Sequence, residues 1–123
     1  MSLDFYLDAE DLDGNKVRVF DINITHNLAR MAHAAGCYTA LWRPNELPRD
    51  SYIASDAILN VQRARICIEP LRDGRDRLRA EPELFKKYNP PNGWGDYEWL
   101  LGAVEETLKA CQQYPSAHVS VWK

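Results

Sequence analysis

Hydrophobic and polar residues alternate at the start of the chain. Leu3, Phe5 and Leu7 fall on one side and Asp4 and Tyr6 on the other, the two-residue period of a half-buried strand. Asp13-Gly14 is a turn signal. Val17 and Val19 resume the alternation, then Phe20 and Ile22 reverse its phase, as a bulge or bend near Val19-Phe20 would. The two runs predict an antiparallel hairpin. At the far end Val119 and Val121 alternate with His118, Ser120 and Trp122, predicting a final strand.

Between these runs the period becomes helical. Asp21-Ile22-Asn23-Ile24-Thr25 is expected to leave the strand, with Asn23 or Thr25 capping a helix through Leu28, Met31, Ala32 and Ala35. Gly36 suits the position after that helix. A short helix from Tyr38 to Leu41 should stop before Trp42-Arg43-Pro44, because a residue preceding proline avoids the α region. Asn45 to Asp50 reads as a loop. Ser51 to Ile66 is hard to phase, with Ser55-Asp56 able to cap a helix carrying Ile58, Leu59, Gln62 and Ile66. Pro70 is expected to interrupt and restart it, giving a second helix marked by Leu71, Arg75 and Leu78 that Glu81-Pro82 ends. Gly74 should weaken that helix by about 1 kcal/mol relative to alanine. Asp96 caps the clearest amphipathic helix, with Tyr97, Leu100, Leu101, Val104, Leu108 and Cys111 on one stripe. These elements predict one α+β domain over residues 1–123, a small antiparallel sheet of N-terminal hairpin and C-terminal strand packed against several helices.

Composition narrows the setting. The 123 residues carry a net charge of −3, so general nucleic-acid binding is not expected. No apolar run approaches the ~20 residues that span a membrane, and the first residues lack a secretory pattern, so a cytoplasmic protein without a membrane partner is expected. Cys37, Cys67 and Cys111 are far apart, form no C-x-x-C pair, and read as buried reduced thiols.

The segment most in need of explanation is Asn89-Pro90-Pro91-Asn92-Gly93-Trp94-Gly95-Asp96-Tyr97-Glu98. Prolines, glycines and aromatics together suggest a shaped surface rather than a simple connector. Trp94 and Tyr97 could form an aromatic wall, with Asn92 or Asp96 as polar contacts; the plainer alternative is a hydrophobic clamp that locks the last helix onto the sheet, Trp94 packing back on the helix as a staple does. Asn23-Ile24-Thr25-His26-Asn27 offers amide, hydroxyl and imidazole groups at a helix start, where free backbone N–H groups attract anions, although capping alone accounts for Asn23 or Thr25. In Leu41-Trp42-Arg43-Pro44-Asn45-Glu46, Trp42 and Arg43 could hold a flat anionic ligand, or Trp42 could plug the core edge while Arg43 pairs with Glu46. In the arginine-rich stretch Arg63, Arg65, Arg72, Arg75, Arg77 and Arg79, residues 72, 75 and 79 share a helix face but Asp73, Asp76 and Glu69 are interleaved, which favours a solvated mixed-charge face over an anion-binding stripe.

Catalytic templates fit poorly. His26 and His33 stand seven apart, unlike a two-histidine metal clamp, and no phosphate-binding loop, G-x-S-x-G or dinucleotide fingerprint occurs. Cys37 with a histidine, or Glu98 with His26, would need spatial proximity to act. No catalytic residue, metal or cofactor is therefore assigned.

The motifs Asn23-Ile24-Thr25-His26-Asn27, Leu41-Trp42-Arg43-Pro44 and Asn92-Gly93-Trp94-Gly95-Asp96-Tyr97-Glu98 resemble a group of small proteins encoded by bacteriophages and prophages. The opening Met1-Ser2-Leu3-Asp4-Phe5-Tyr6-Leu7 and the stretches around Ala110-Cys111 and Tyr114-Pro115 are similar too. The resemblance covers most of the chain and is weakest over Asn45 to Arg65, which looks longer than in that group. It implies a bacterial cytoplasm as the setting and implies no mechanism.

The leading expectation is a non-catalytic binding protein whose pocket is lined by Asn23, Thr25, His26, Asn27, Trp42, Arg43, Asn92, Trp94, Tyr97 and Glu98, for a nucleotide-like or other small anionic ligand, in the role of a host-defence antagonist. The alternative is an interaction module, docking on a host protein through Trp42, Trp94 and Trp99 or forming a homo-oligomer. Both rest on residues 23–27 and 92–98 meeting in space.

Overall fold

The computed structural model describes residues 1–50 and 53–123. Strands β1 (Ser2–Glu10), β2 (Lys16–Thr25) and β3 (His118–Trp122) form an antiparallel sheet in the order β2-β1-β3, so the two chain ends meet as the alternation predicts. Leu3, Phe5 and Leu7 on the central strand are fully buried. The pairing shifts between Leu7↔Phe20 and Asp8↔Arg18, leaving Val19 as the extra residue of a bulge, where the phase reversal predicts one. Contrary to the sequence reading, β2 does not end at Asp21. It runs to Thr25, because Ile22 and Ile24 keep the buried side of the ladder opposite Phe5 and Leu3.

Six α-helices occur among the described residues. A single 3-10 turn, His26–Leu28, leads from β2 into α1 (Ala29–Ala35), and Thr25 caps the turn by accepting the Asn27 N–H. Gly36 closes α1 in the left-handed region, φ 86°. Helix α2 (Tyr38–Trp42) is one residue longer than expected and stops at Arg43, before Pro44.

The stretch that resisted phasing begins with residues 51 and 52, which lie outside the described residues; beyond it α3 (Ser55–Leu59) is short and Asn60, in the left-handed region, stops it. Gln62 therefore belongs to no helix. It is buried and donates to the carbonyls of Pro44 at 2.9 Å and Leu47 at 3.0 Å, tying down the preceding loop.

Helix α4 (Ala64–Ala80) passes through Pro70 without a break, which corrects the predicted restart. The proline denies Ile66 an acceptor's usual partner, but Cys67, Leu71, Gly74 and Leu78 form a buried stripe that holds both halves on one axis. Gly74 lies in that stripe because Cys37 packs on it: a Cβ there would fall 2.6 Å from the Cys37 Cβ. Glu81-Pro82 ends α4 as expected, and α5 (Pro82–Lys86) follows.

Asp96 caps α6 (Tyr97–Gln113) through the Trp99 N–H at 2.8 Å, and Tyr97, Leu100, Val104, Leu108 and Cys111 face the core. Helices α4 and α6 pack on each other, and α1, α2 and α4 lie with the sheet around one hydrophobic cluster. The fold is α+β. Among the described residues no helix is long and apolar enough to cross a membrane.

Candidate functional site: a basic cleft beside an indole notch

The strand-to-helix junction at the end of β2 and the loop before α6 meet. A Cβ on Gly95 would fall 2.8 Å from Thr25 Cγ2 and 3.1 Å from Leu28 Cγ, so the backbone of the loop lies directly on the junction. Gly95 also has φ +94°, which an L side chain rarely adopts. The loop is braced from within. Asn89 Oδ1 accepts the Tyr97 N–H at 2.8 Å, Asn92 Oδ1 accepts the Trp94 N–H at 3.0 Å, and Gly93 N–H closes a turn onto the Pro90 carbonyl. Its shape is therefore set before any ligand arrives.

Two recesses flank this contact. The first is a cleft of about 650 Å³ lined by His26, Asn27 and Arg30 on one wall and Leu84, Lys87, Tyr88, Asn89, Pro90, Pro91 and Asn92 on the other. Arg30 and Lys87 are exposed, and neither takes part in an ion pair among the described residues. No carboxylate lines the cleft, although the chain as a whole is acidic at −3.

The second recess is a notch of about 330 Å³ between β2 and α6, lined by Asn23, Thr25, Trp94, Gly95, Asp96 and Trp99. Both indoles are exposed, Trp94 at 69% and Trp99 at 52%. A shallow groove continues from Trp99 past Ile22, Glu98, Gly102 and Glu106.

The predicted pocket is thus divided. His26, Asn27 and Asn92 belong to the cleft; Asn23, Thr25 and Trp94 belong to the notch; Glu98 sits beyond it, with Lys86 Nζ 3.9 Å away. Asn23 spends its amide on Ser2 Oγ and Asp4 Oδ1, both at 2.8 Å. Tyr97 lines neither recess: it is buried and donates its hydroxyl to the Leu78 carbonyl, which ties α6 to α4 rather than to the sheet. Arg43 also lines neither and pairs with Glu46 at 3.4 Å on the surface.

Trp42 is 2% exposed and takes no part in either wall, yet it reaches the cleft indirectly. Its indole Nε1–H donates to His26 Nδ1 at 2.9 Å. An indole nitrogen can only donate, so Nδ1 accepts and the neutral imidazole carries its proton on Nε2. Trp42 is itself stacked on Tyr38, ring centroids 5.3 Å apart, and Tyr38 on His33 at 3.6 Å. This aromatic column fixes both the position and the tautomer of His26.

Sequence reasoning missed Arg30, Lys87, Tyr88 and Leu84. One signal was present: Arg30 stands one helical turn after His26, on the same side of the 3-10 turn and α1. The groups named for chemistry lie elsewhere. Cys37 is fully buried, its thiol donates to the Ala32 carbonyl, and burial pushes its pKa up to about 12. Cys111 is raised further by its hydrogen bond with Cys67 and by burial. Among the described residues, no group of three or more His, Cys, Asp or Glu side chains is placed to hold a metal ion.

The arginine-rich stretch is largely engaged with acids. Arg63 forks onto Asp56 at 2.9 and 3.0 Å, Arg65 pairs with Asp50, Arg75 with Asp76 and Arg79 with Glu105. The Arg63 hydrogen bond holds the Asp56 carboxyl below the usual range. Comparison of the chain with family models, curated proteins and solved structures finds no match.

Proposed function

We propose that the protein is a non-catalytic binding protein that takes a small, nucleotide-like anion in the cleft between α1 and the 84–92 segment. The observation that carries this reading is the cleft's composition: two exposed cations and no carboxylate, in a chain of net negative charge. Arg30 and Lys87 supply the attraction for a phosphate or carboxylate group. His26 offers Nε2–H as a fixed donor, Asn27 and Asn92 contribute amides, and Tyr88 with Pro90 and Pro91 gives flat apolar surface for a ring.

A binding role is favoured over a catalytic one by the same list. A lining without carboxylates leaves His26, Lys87 and Tyr88 as candidate acids or bases with no carboxylate partner in the cleft, and His26 Nδ1 is already engaged by Trp42. In the bacteriophage or prophage setting that the resemblance of its motifs implies, sequestering a nucleotide signal of host defence is the corresponding biological role. The interaction-module alternative loses Trp42, which is buried, and keeps Trp94 and Trp99.

The test is a thermal-shift panel of nucleoside mono-, di- and triphosphates and cyclic mono- and dinucleotides. A ligand present at one hundred times its Kd should add about 2.7 kcal/mol of stability. Arg30→Gln with Lys87→Gln should abolish that gain and leave the unliganded melting point unchanged, since both side chains are exposed. A flat panel, or a response that survives the double variant, contradicts the proposal.

A further inference from the structure

The indole notch differs from the cleft in charge and in what borders it. Asp96 lines it, Glu98 and Glu106 line the groove that continues from Trp99, and no Arg or Lys lines either, although Lys86 Nζ lies 3.9 Å from Glu98. Two exposed indoles beside carboxylates are a setting for a cationic group, which an indole face attracts more strongly than other rings do.

Beside the notch runs the outer edge of β2, an edge strand in the order β2-β1-β3. Its open hydrogen-bonding positions follow from the register. The His26 N–H donates to the Met1 carbonyl across the Ser2↔Thr25 pair, so that pair is a non-hydrogen-bonded one. Alternation then turns the backbone N–H and C=O of Asn23 and Asp21 away from β1. Among the described residues, neither edge group has a hydrogen-bond partner on that side.

We propose that the outer edge of β2 and the Trp94–Trp99 notch together dock an extended basic segment of a partner protein. The segment pairs with Asp21 and Asn23 as a fourth strand and lays an arginine or lysine side chain between the indoles. Charge complementarity selects this occupant. Asp21 has Arg18 of its own strand nearby, so the selection rests on the notch: a second copy of the chain would bring its own Asp96 and Glu106 to the same place, setting like charges against each other. The surface shares no lining residue with the anion cleft, so it stands apart from that reading.

The experiment uses an end-blocked peptide of alternating arginine and threonine, its glutamate counterpart, and an arginine version N-methylated at alternate backbone nitrogens. Binding is read by calorimetry and by the fluorescence of the exposed tryptophans. The arginine peptide should bind saturably and the glutamate peptide should not. N-methylation should weaken binding about tenfold or more, and so should Trp94→Ala with Trp99→Ala. Asp21→Lys with Glu106→Lys, at two exposed positions, provides a second variant with the same expected loss. The proposal is overturned if the arginine peptide does not bind, if the glutamate or N-methylated peptide binds as well, if both variants keep wild-type affinity, or if sedimentation shows the chain already paired with itself along this edge.

Discussion

Trp42 illustrates how far one residue's role can lie from what its neighbours in sequence suggest. Beside Arg43 it reads as a stacking platform, whereas folded it is a buried prop for His26. Trp42→Phe keeps the apolar ring and removes the donor. It should cost about 2 kcal/mol in denaturant unfolding and free the His26 tautomer, visible as a change in its imidazole nitrogen resonances. A variant of unchanged stability and unchanged histidine signals would remove the prop. Gly74 makes the opposite point. Helix propensity alone predicts that Gly74→Ala stabilises α4 by about 1 kcal/mol. The Cys37 Cβ only 2.6 Å from the added methyl reverses the sign, and a net loss of about 1–3 kcal/mol is expected from the same unfolding measurement. Neither effect was legible in the sequence, because each depends on a residue brought in from another element.

At the scale of elements, what is local was legible. The β2 bulge, the Gly36 stop, the Asp96 cap and the stripe of α6 each leave a mark within a few residues. What failed was local grammar overruled by packing: Pro70 sits inside α4 because the helix's buried stripe spans it, and β2 outlasts Asp21 because its ladder with β1 continues. The β3 strand carries a pH-sensitive group. Burial lowers the His118 pKa, with Arg63 and Lys16 adding to the effect while Glu10 and Asp56 oppose it. The folded state thus prefers neutral imidazole. Stability from this group is present above the unfolded value of about 6.5 and is lost as pH falls below it, through the lowered folded value. Melting followed from pH 8 to pH 5 should fall more steeply in the wild type than in His118→Gln. Parallel curves would contradict the assignment.

The whole molecule brings the chain's two unusual segments together and then divides them. Sequence alone could name both 23–27 and 92–98 as worth pairing, since each concentrates polar and aromatic groups at a helix start. It could not show that the contact of Gly95 with Thr25 and Leu28 would split their side chains between a cationic cleft and an acidic notch. Nor could it supply Lys87 and Tyr88, which reach the cleft because α5 ends beside α1. The resulting separation of charge is the property from which both proposed binding surfaces follow, one for an anion and one for a cation.

The central claim concerns the anion, and backbone amide spectra recorded during titration with adenosine monophosphate and a cyclic dinucleotide address it most directly. The account predicts shifts for one of them concentrated at residues 26–30 and 84–92, accompanied by the Trp42 indole N–H that reports on His26. Spectra that stay unchanged at millimolar ligand, or shifts gathered on the indole notch or the far side of the sheet, would contradict it.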